Sequence, residues 1–237
     1  VPIAIHASTP ALVADTTSST TASFTAPVGS LLVALIADAA GTGDMTMSNS
    51  GTALTWTEQV RHQLGEDSGA YAAGVAVFTA TPPTSVARTV TYTAASSGTL
   101  TALKLLVVTG ADVEGDPVGA VGEGNSTTAN LTPTVYASTV AASRAVGIAA
   151  DTVADGSVTS SDTGFSFGGI SDDMAGVAVY KAANTALEGA NVTLNFNGSG
   201  EARNWNWCAV EILPAVIPFV AGRGIMLGQA VNRASNY

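Results

Sequence analysis

The sequence predicts an all-β protein, a jelly-roll-like β-sandwich built from two pseudo-repeated halves with extended N- and C-terminal arms. Three observations carry that expectation. Helical periodicity is almost absent, short apolar runs are separated by Gly, Pro, Asn and Ser turns, and one stretch occurs twice. Ala72 to Ala80, AAGVAVFTA, returns 102 residues later as MAGVAVYKA at Met174 to Ala182. From Ala72 to Gly110 the two copies align without a gap, and 11 of those 39 positions are identical, Val90/Val192, Thr91/Thr193 and Val108/Val210 among them.

The elements follow in order. VPIAIHASTP alternates Val1, Ile3 and Ile5 against Pro2, Ala4 and His6, which suits an edge strand or a docking arm. His6 reads as a solvent-facing strand residue, because His62 stands at no metal-ligand spacing to it. TTSSTTASFTA at Thr16 to Ala26 is rich in small β-formers, and Pro27 and Gly29 turn it into Leu31 to Ala37, an apolar run short enough to be a strand buried on both faces. Its counterpart is Ala145 to Ala150; an aspartate follows each, Asp38 and Asp151.

The first copy is 11 residues longer after this strand, and AAGTGDMTMSNSG reads as a long loop carrying Met45 and Met47, either a surface insertion or a contact site. Trp56 to His62 alternates as a strand, and Val86 to Thr93 gives another after Pro82 and Pro83. Leu100 to Val108 closes the first copy and Ala202 to Val210 the second. That alignment sets Leu103 and Leu105 opposite Trp205 and Trp207, so the two indoles are expected in the core and not on a sugar-binding platform. Cys208 falls opposite Leu106 and reads as a small buried hydrophobe. Asp112 to Gly124 reads as a connector, and GFSFGG at Gly164 to Gly169 as a glycine-rich turn. The copies are expected to share one core.

The boundaries expected on this basis are an N-terminal arm over 1–15, a sandwich over 16–214 with pseudo-repeats at about 20–112 and 130–214, and a docking tail over 215–237. The tail has no place in the repeat, and its apolar Ile217, Phe219, Val220, Ile225, Met226 and Leu227 are the candidate partner-binding residues, together with Met45 and Met47.

Charge and composition narrow the function. Charged residues make up 11% of the chain, the formal net charge is −10, and eight scattered Lys and Arg residues form no basic cluster, so nucleic-acid binding is disfavoured. No basic and apolar leader opens the chain and no run of about 18 apolar residues reads as a membrane span. The expectation is a soluble protein with no encoded export signal and no membrane insertion. The single Cys208 forms no internal disulfide.

Catalysis finds little to work with. There is no G-x-S-x-G elbow and no phosphate-cradling loop, and His62 is the only histidine inside the repeat. Asp162, Asp172 and Asp173, and Glu66 with Asp67, lack the alternating spacing of a calcium loop and read as solvated turn charges. No catalytic residue, cofactor or metal is expected.

The succession of VGSLLVAL at Val28 to Leu35, the W-T strand start at Trp56, VAVF, TVTY, LLVVTGAD at Leu105 to Asp112, DPVGAVG at Asp116 to Gly122 and AVEILP at Ala209 to Pro214 resembles β-sandwich structural proteins of actinobacterial phages, many of them minor tail proteins. The resemblance covers about Ala22 to Pro214 and implies a virion component without catalytic residues, whose partners are other virion proteins and copies of itself. Two further readings are a capsid decoration protein and a module in which Trp205, Trp207, Tyr71, Tyr180 or the Met45/Met47 loop touches a host-surface glycan. A β-sandwich hydrolase ranks last and would need His62 beside a carboxylate in a concave pocket.

Overall fold

A computed structural model of the chain describes residues 1–40, 43, 45–63, 73–96, 99–152, 158–168, 174–198 and 204–216. The first half contains β1 (Ala4–Ile5), β2 (Val13–Thr16), β3 (Ser18–Thr20), β4 (Phe24–Thr25), β5 (Leu31–Asp38), β6 (Thr46–Asn49), β7 (Thr57–His62), β8 (Gly74–Ala80), β9 (Ala87–Arg88), β10 (Val90–Thr93) and β11 (Leu100–Thr109). The second contains β12 (Val118–Ser126), β13 (Asn130–Leu131), β14 (Thr134–Ala137), β15 (Arg144–Asp151), β16 (Thr163–Phe167), β17 (Ala175–Tyr180), β18 (Asn191–Thr193), β19 (Phe196–Asn197) and β20 (Trp205–Ile212). Among the described residues there is no helix, and every strand pair is antiparallel.

Two large sheets dominate. One runs β1-β11-β5-β8-β7, with β2 also on β11; the other runs β12-β20-β15-β17-β16. Each has an edge element, then the closing strand of its half, then the buried apolar strand, then the repeated AGVAV strand. Smaller sheets lie outside them, β3-β10-β6 and β4-β9 on the first, β13-β19 and β14-β18 on the second.

Side-chain alternation sorts β5 between two cores. Leu31, Val33, Leu35 and Ala37 face a central cluster that takes Val146, Ile148, Cys208, Val210 and Ile212 from the second large sheet. Leu32, Ala34 and Ile36 face an outer cluster with Phe24, Tyr92, Leu103 and Leu105. The second half has its own outer cluster around Trp205, Trp207, Val177, Val179 and Phe196. The expectation of one core shared by both copies is therefore corrected: there are three cores, a shared central one and an outer one in each half. A strand buried on both faces needs a partner layer on each side, which two sheets alone do not supply.

Fully burying a Leu, Ile or Val contributes about 1.5–3 kcal/mol. The central cluster holds many such residues, so apolar packing outweighs a side-chain hydrogen bond across the seam such as Asn206 Nδ2 to the Ala73 carbonyl at 3.1 Å.

Four local readings change. The first 15 residues are not a free arm: β1 and β2 pair with β11, Ile3 is buried, and the His6 amide donates to the Val107 carbonyl. The supposed loop at Met45 and Met47 contains β6, which pairs with β10. The expected turn at Gly164 is strand instead, since Thr163–Phe167 forms β16 and aims Phe165 and Phe167 at the central core, while Gly169 lies outside the described residues. The connector includes β12, whose glycines lower β-propensity but permit close approach; a Cβ on Gly122 would collide with the Val135 carbonyl.

Lys104 is the unusual polar residue of the seam. It sits in the apolar run of β11 and is almost fully buried; its ammonium donates to the Pro10 carbonyl at 2.6 Å and lies 3.8 Å from the Phe165 ring centroid. Burial lowers its pKa to about 8. Unfolded lysine titrates near 10.4, so between these values the unfolded chain holds a proton that the folded chain has released, and stability rises with pH. Urea midpoints measured from pH 7 to 10 should show a gain of roughly 2–3 kcal/mol above pH 8, and Lys104→Met should abolish it.

Candidate functional site

The expected partner-binding residues divide. Ile217, Phe219, Val220, Ile225, Met226 and Leu227 lie outside the described residues. Met45 and Met47 do not form an exposed contact: Met45 is buried in the outer core of the first half and Met47 packs against it. Their alternation around Thr46 is that of a strand with one face inward.

Both indoles are covered. Trp205 is fully buried and its Nε1 donates to the Thr128 carbonyl at 3.0 Å, while Trp207 is 8% exposed. The sugar platform they were weighed for does not exist. Tyr180 packs on the central cluster beside Phe165, ring centroids 6.1 Å apart, and Tyr71 lies outside the described residues. Cys208 is buried, and desolvation pushes its thiol pKa well up, as expected of an inert core cysteine.

The charged candidates are also placed. Asp162 pairs with Lys181 at 2.8 Å and accepts the Asn195 amide, so its carboxylate is engaged. Asp172, Asp173, Glu66 and Asp67 lie outside the described residues, and among the described residues no group of three or more metal-ligating side chains gathers. His62 Nδ1 lies 3.7 Å from a Glu123 carboxylate oxygen, joining β7 to β12 at the seam. Neither residue lines the cleft described next.

Two buried carboxylates work as clamps. Asp38 ends β5 and accepts the Tyr92 hydroxyl at 2.5 Å and the Ala40 amide at 2.9 Å, tying the large sheet to the small one. Burial and that carboxylate push the Tyr92 pKa up. In the second half Leu194 aligns with Tyr92, and Glu211 on β20 does the tying: it accepts the Ala120 amide at 3.0 Å and the Thr139 hydroxyl at 2.7 Å. Desolvation raises its pKa, but hydrogen bonds from Ser143, Ala120 and Thr139 outweigh that and hold it below the usual value.

One pole of the molecule remains as the functional candidate. The register places there the starts of β5 and β7 and the ends of β8 and β11, and the Ala111–Pro214 bridge brings the end of β20 alongside. Among the described residues, five of the six exposed large apolar ones, Val1, Val28, Val86, Leu187 and Val216, fall on segments that leave the sheets at this pole. Gly110, at φ 77°, makes the turn out of β11 where the Pro2 backbone leaves no room for a Cβ.

A cleft of about 570 Å³ opens at the same pole. Its floor is the sheet end at Leu31, Thr57 and Thr79; one wall is the segment before β7, with Leu54 and Thr55; the other is the connector, with Val113 and Asp116. Asn49 shapes the first wall by accepting the Leu54 amide and donating to the Ser50 and Thr52 carbonyls. The second wall is held by Asp112, which caps Gly115, and Asp116, which caps Val118. The lining mixes apolar side chains with hydroxyls and a carboxylate, within the size range of small-ligand and peptide pockets. Sequence reasoning missed it because its walls, at Leu54 and Val113, lie 59 residues apart in the chain.

Fold and site together define an all-β, sandwich-like protein with an amphipathic cleft at the pole where β20 ends. Comparison with protein-family models, curated proteins and solved structures finds no match to this chain.

Proposed function

We propose that this chain is a non-enzymatic structural component of a phage virion, of the minor tail type, and that it assembles through the segment after Pro214. The observation that carries the reading is the way this segment leaves the body. Pro214 bridges Ala111 and the Ala215 amide donates to the Gly110 carbonyl at 2.8 Å, so the chain departs from a fixed base amid exposed apolar residues. The apolar Ile217, Phe219, Ile225 and Leu227 follow at once. Segments of this kind mark interaction sites. The strand succession that resembles phage β-sandwich proteins supports the same reading.

The partners would be other virion proteins and further copies of the chain. Edge strands β7 and β16, each paired on one side among the described residues, offer a second means of association by strand addition. Deleting 217–237 should leave the melting temperature within a few degrees while reducing incorporation into particles at least about tenfold, read by immunoblot of purified virions. A truncated chain that is incorporated at normal occupancy would sink the proposal. Recovery with capsids and not with tails would shift it to the capsid-decoration reading.

A further inference from the structure

We propose that the buried guanidinium of Arg88 is an internal binding site for a small monovalent anion of the halide class. Arg88 lies on β9 opposite Phe24 of β4, and it alternates with Val90 and Tyr92 on the face that β9 and β10 turn to the outer core of the first half. It is 1% exposed. Its Nη2 donates to the Thr84 carbonyl at 3.0 Å, but Nε and Nη1 reach no acceptor, and among the described residues no carboxylate pairs with it. Tyr92, further along the same face, has its carboxylate in Asp38.

Arginine keeps its charge inside proteins, and a buried charge without a counter-charge is strongly destabilising. The fold itself does not ask for a cation here, since the residue aligned with Arg88 in the second half is Ala190. A water molecule would accept from an N–H group and leave the charge uncompensated, whereas an anion answers both needs. Among the described residues, Trp56 Nε1 is the other buried donor beside this core without an acceptor. The Ser50 amide donates to the Thr89 carbonyl at 3.0 Å and Ser50 Oγ accepts the Thr89 amide at 2.8 Å, so the segment leading to Trp56 starts next to Arg88. Guanidinium and indole N–H groups donate and cannot accept, so the partner both lack is an acceptor. Enclosure by the core selects a single-atom anion over a bulkier tetrahedral oxyanion. Thr84 and Ala87 are exposed, and a local opening of the segment between them gives the anion its way in.

The anion site does not rest on the virion reading, and particle incorporation enters neither of its tests. In the first, the full-length chain is melted at fixed ionic strength while sodium chloride replaces sodium gluconate. With chloride about a hundredfold above its dissociation constant, the wild-type melting temperature should stand about 5 °C or more above its value in gluconate, and Arg88→Met should lose that rise. An equal rise in Arg88→Met would overturn the proposal, and so would a wild-type melting temperature indifferent to chloride. The second needs no variant: wild-type crystals grown with bromide in place of chloride should show an anomalous peak at hydrogen-bond distance from Arg88 Nε or Nη1. No peak there contradicts the site. A peak without the Arg88-dependent rise in melting temperature marks an adventitious ion only and contradicts it equally.

Discussion

Replacing Glu211 with alanine should lower the unfolding free energy by about 3 kcal/mol or more, because it strands several buried donors at once. The carboxylate is fully buried and accepts the Ala120 amide, the Thr139 amide and the Thr139 hydroxyl. An unsatisfied buried donor costs about 1–3 kcal/mol, and water entering the vacated space recovers only part of that. Glu211→Gln keeps the volume and one acceptor oxygen but turns an NH₂ towards these donors, so it should lose about half as much. The pH dependence identifies the cause. A carboxyl whose folded pKa is lowered contributes stability above its unfolded value, about 4.3, and loses that contribution as pH falls through the folded value. The gap between wild type and Glu211→Gln in urea denaturation should therefore be constant at neutral pH and narrow below about pH 4.

Trp205→Ala should cost on the order of 3–5 kcal/mol, the range for truncating a buried large aromatic. The ring is fully buried in the outer core of the second half, and its removal both opens a cavity and leaves the Thr128 carbonyl without its donor. For a domain of this size each kcal/mol shifts the melting temperature by about 2–4 °C, so a fall on the order of 10 °C is expected by calorimetry. The aligned Leu103→Ala should cost about 2–5 kcal/mol by the same mechanism in the outer core of the first half.

How much of this was legible in the sequence depended on the residues concerned. Leu31 to Asp38 could be read because a short run of large aliphatics has few other homes than a doubly covered strand, and all eight residues are buried. The burial of Trp205, Trp207 and Cys208 could be read from the leucines they align with. β12 and β16 could not, because Gly119, Gly122, Gly124 and Gly164 resemble turn residues until the neighbours that approach them are known. The third core was hidden for a related reason: outer strands of two to four residues leave little alternation to see. Lys104 was a signal passed over, a lone cation within LTALKLLVV that only a specific partner such as the Phe165 ring explains. The cleft was least legible, since tertiary packing alone joins Leu54 to Val113.

The central structural claim is that two β-halves are joined through a shared central core. Hydrogen exchange on Trp205→Ala tests it most directly, because the lesion lies in the second half while β5 and β8 belong to the first. If the halves unfold together, the slowest amides of β5 and β8 should lose as much protection as those of β15 and β17. Loss confined to β15, β17 and their neighbours, with β5 and β8 at wild-type protection, would contradict the shared core.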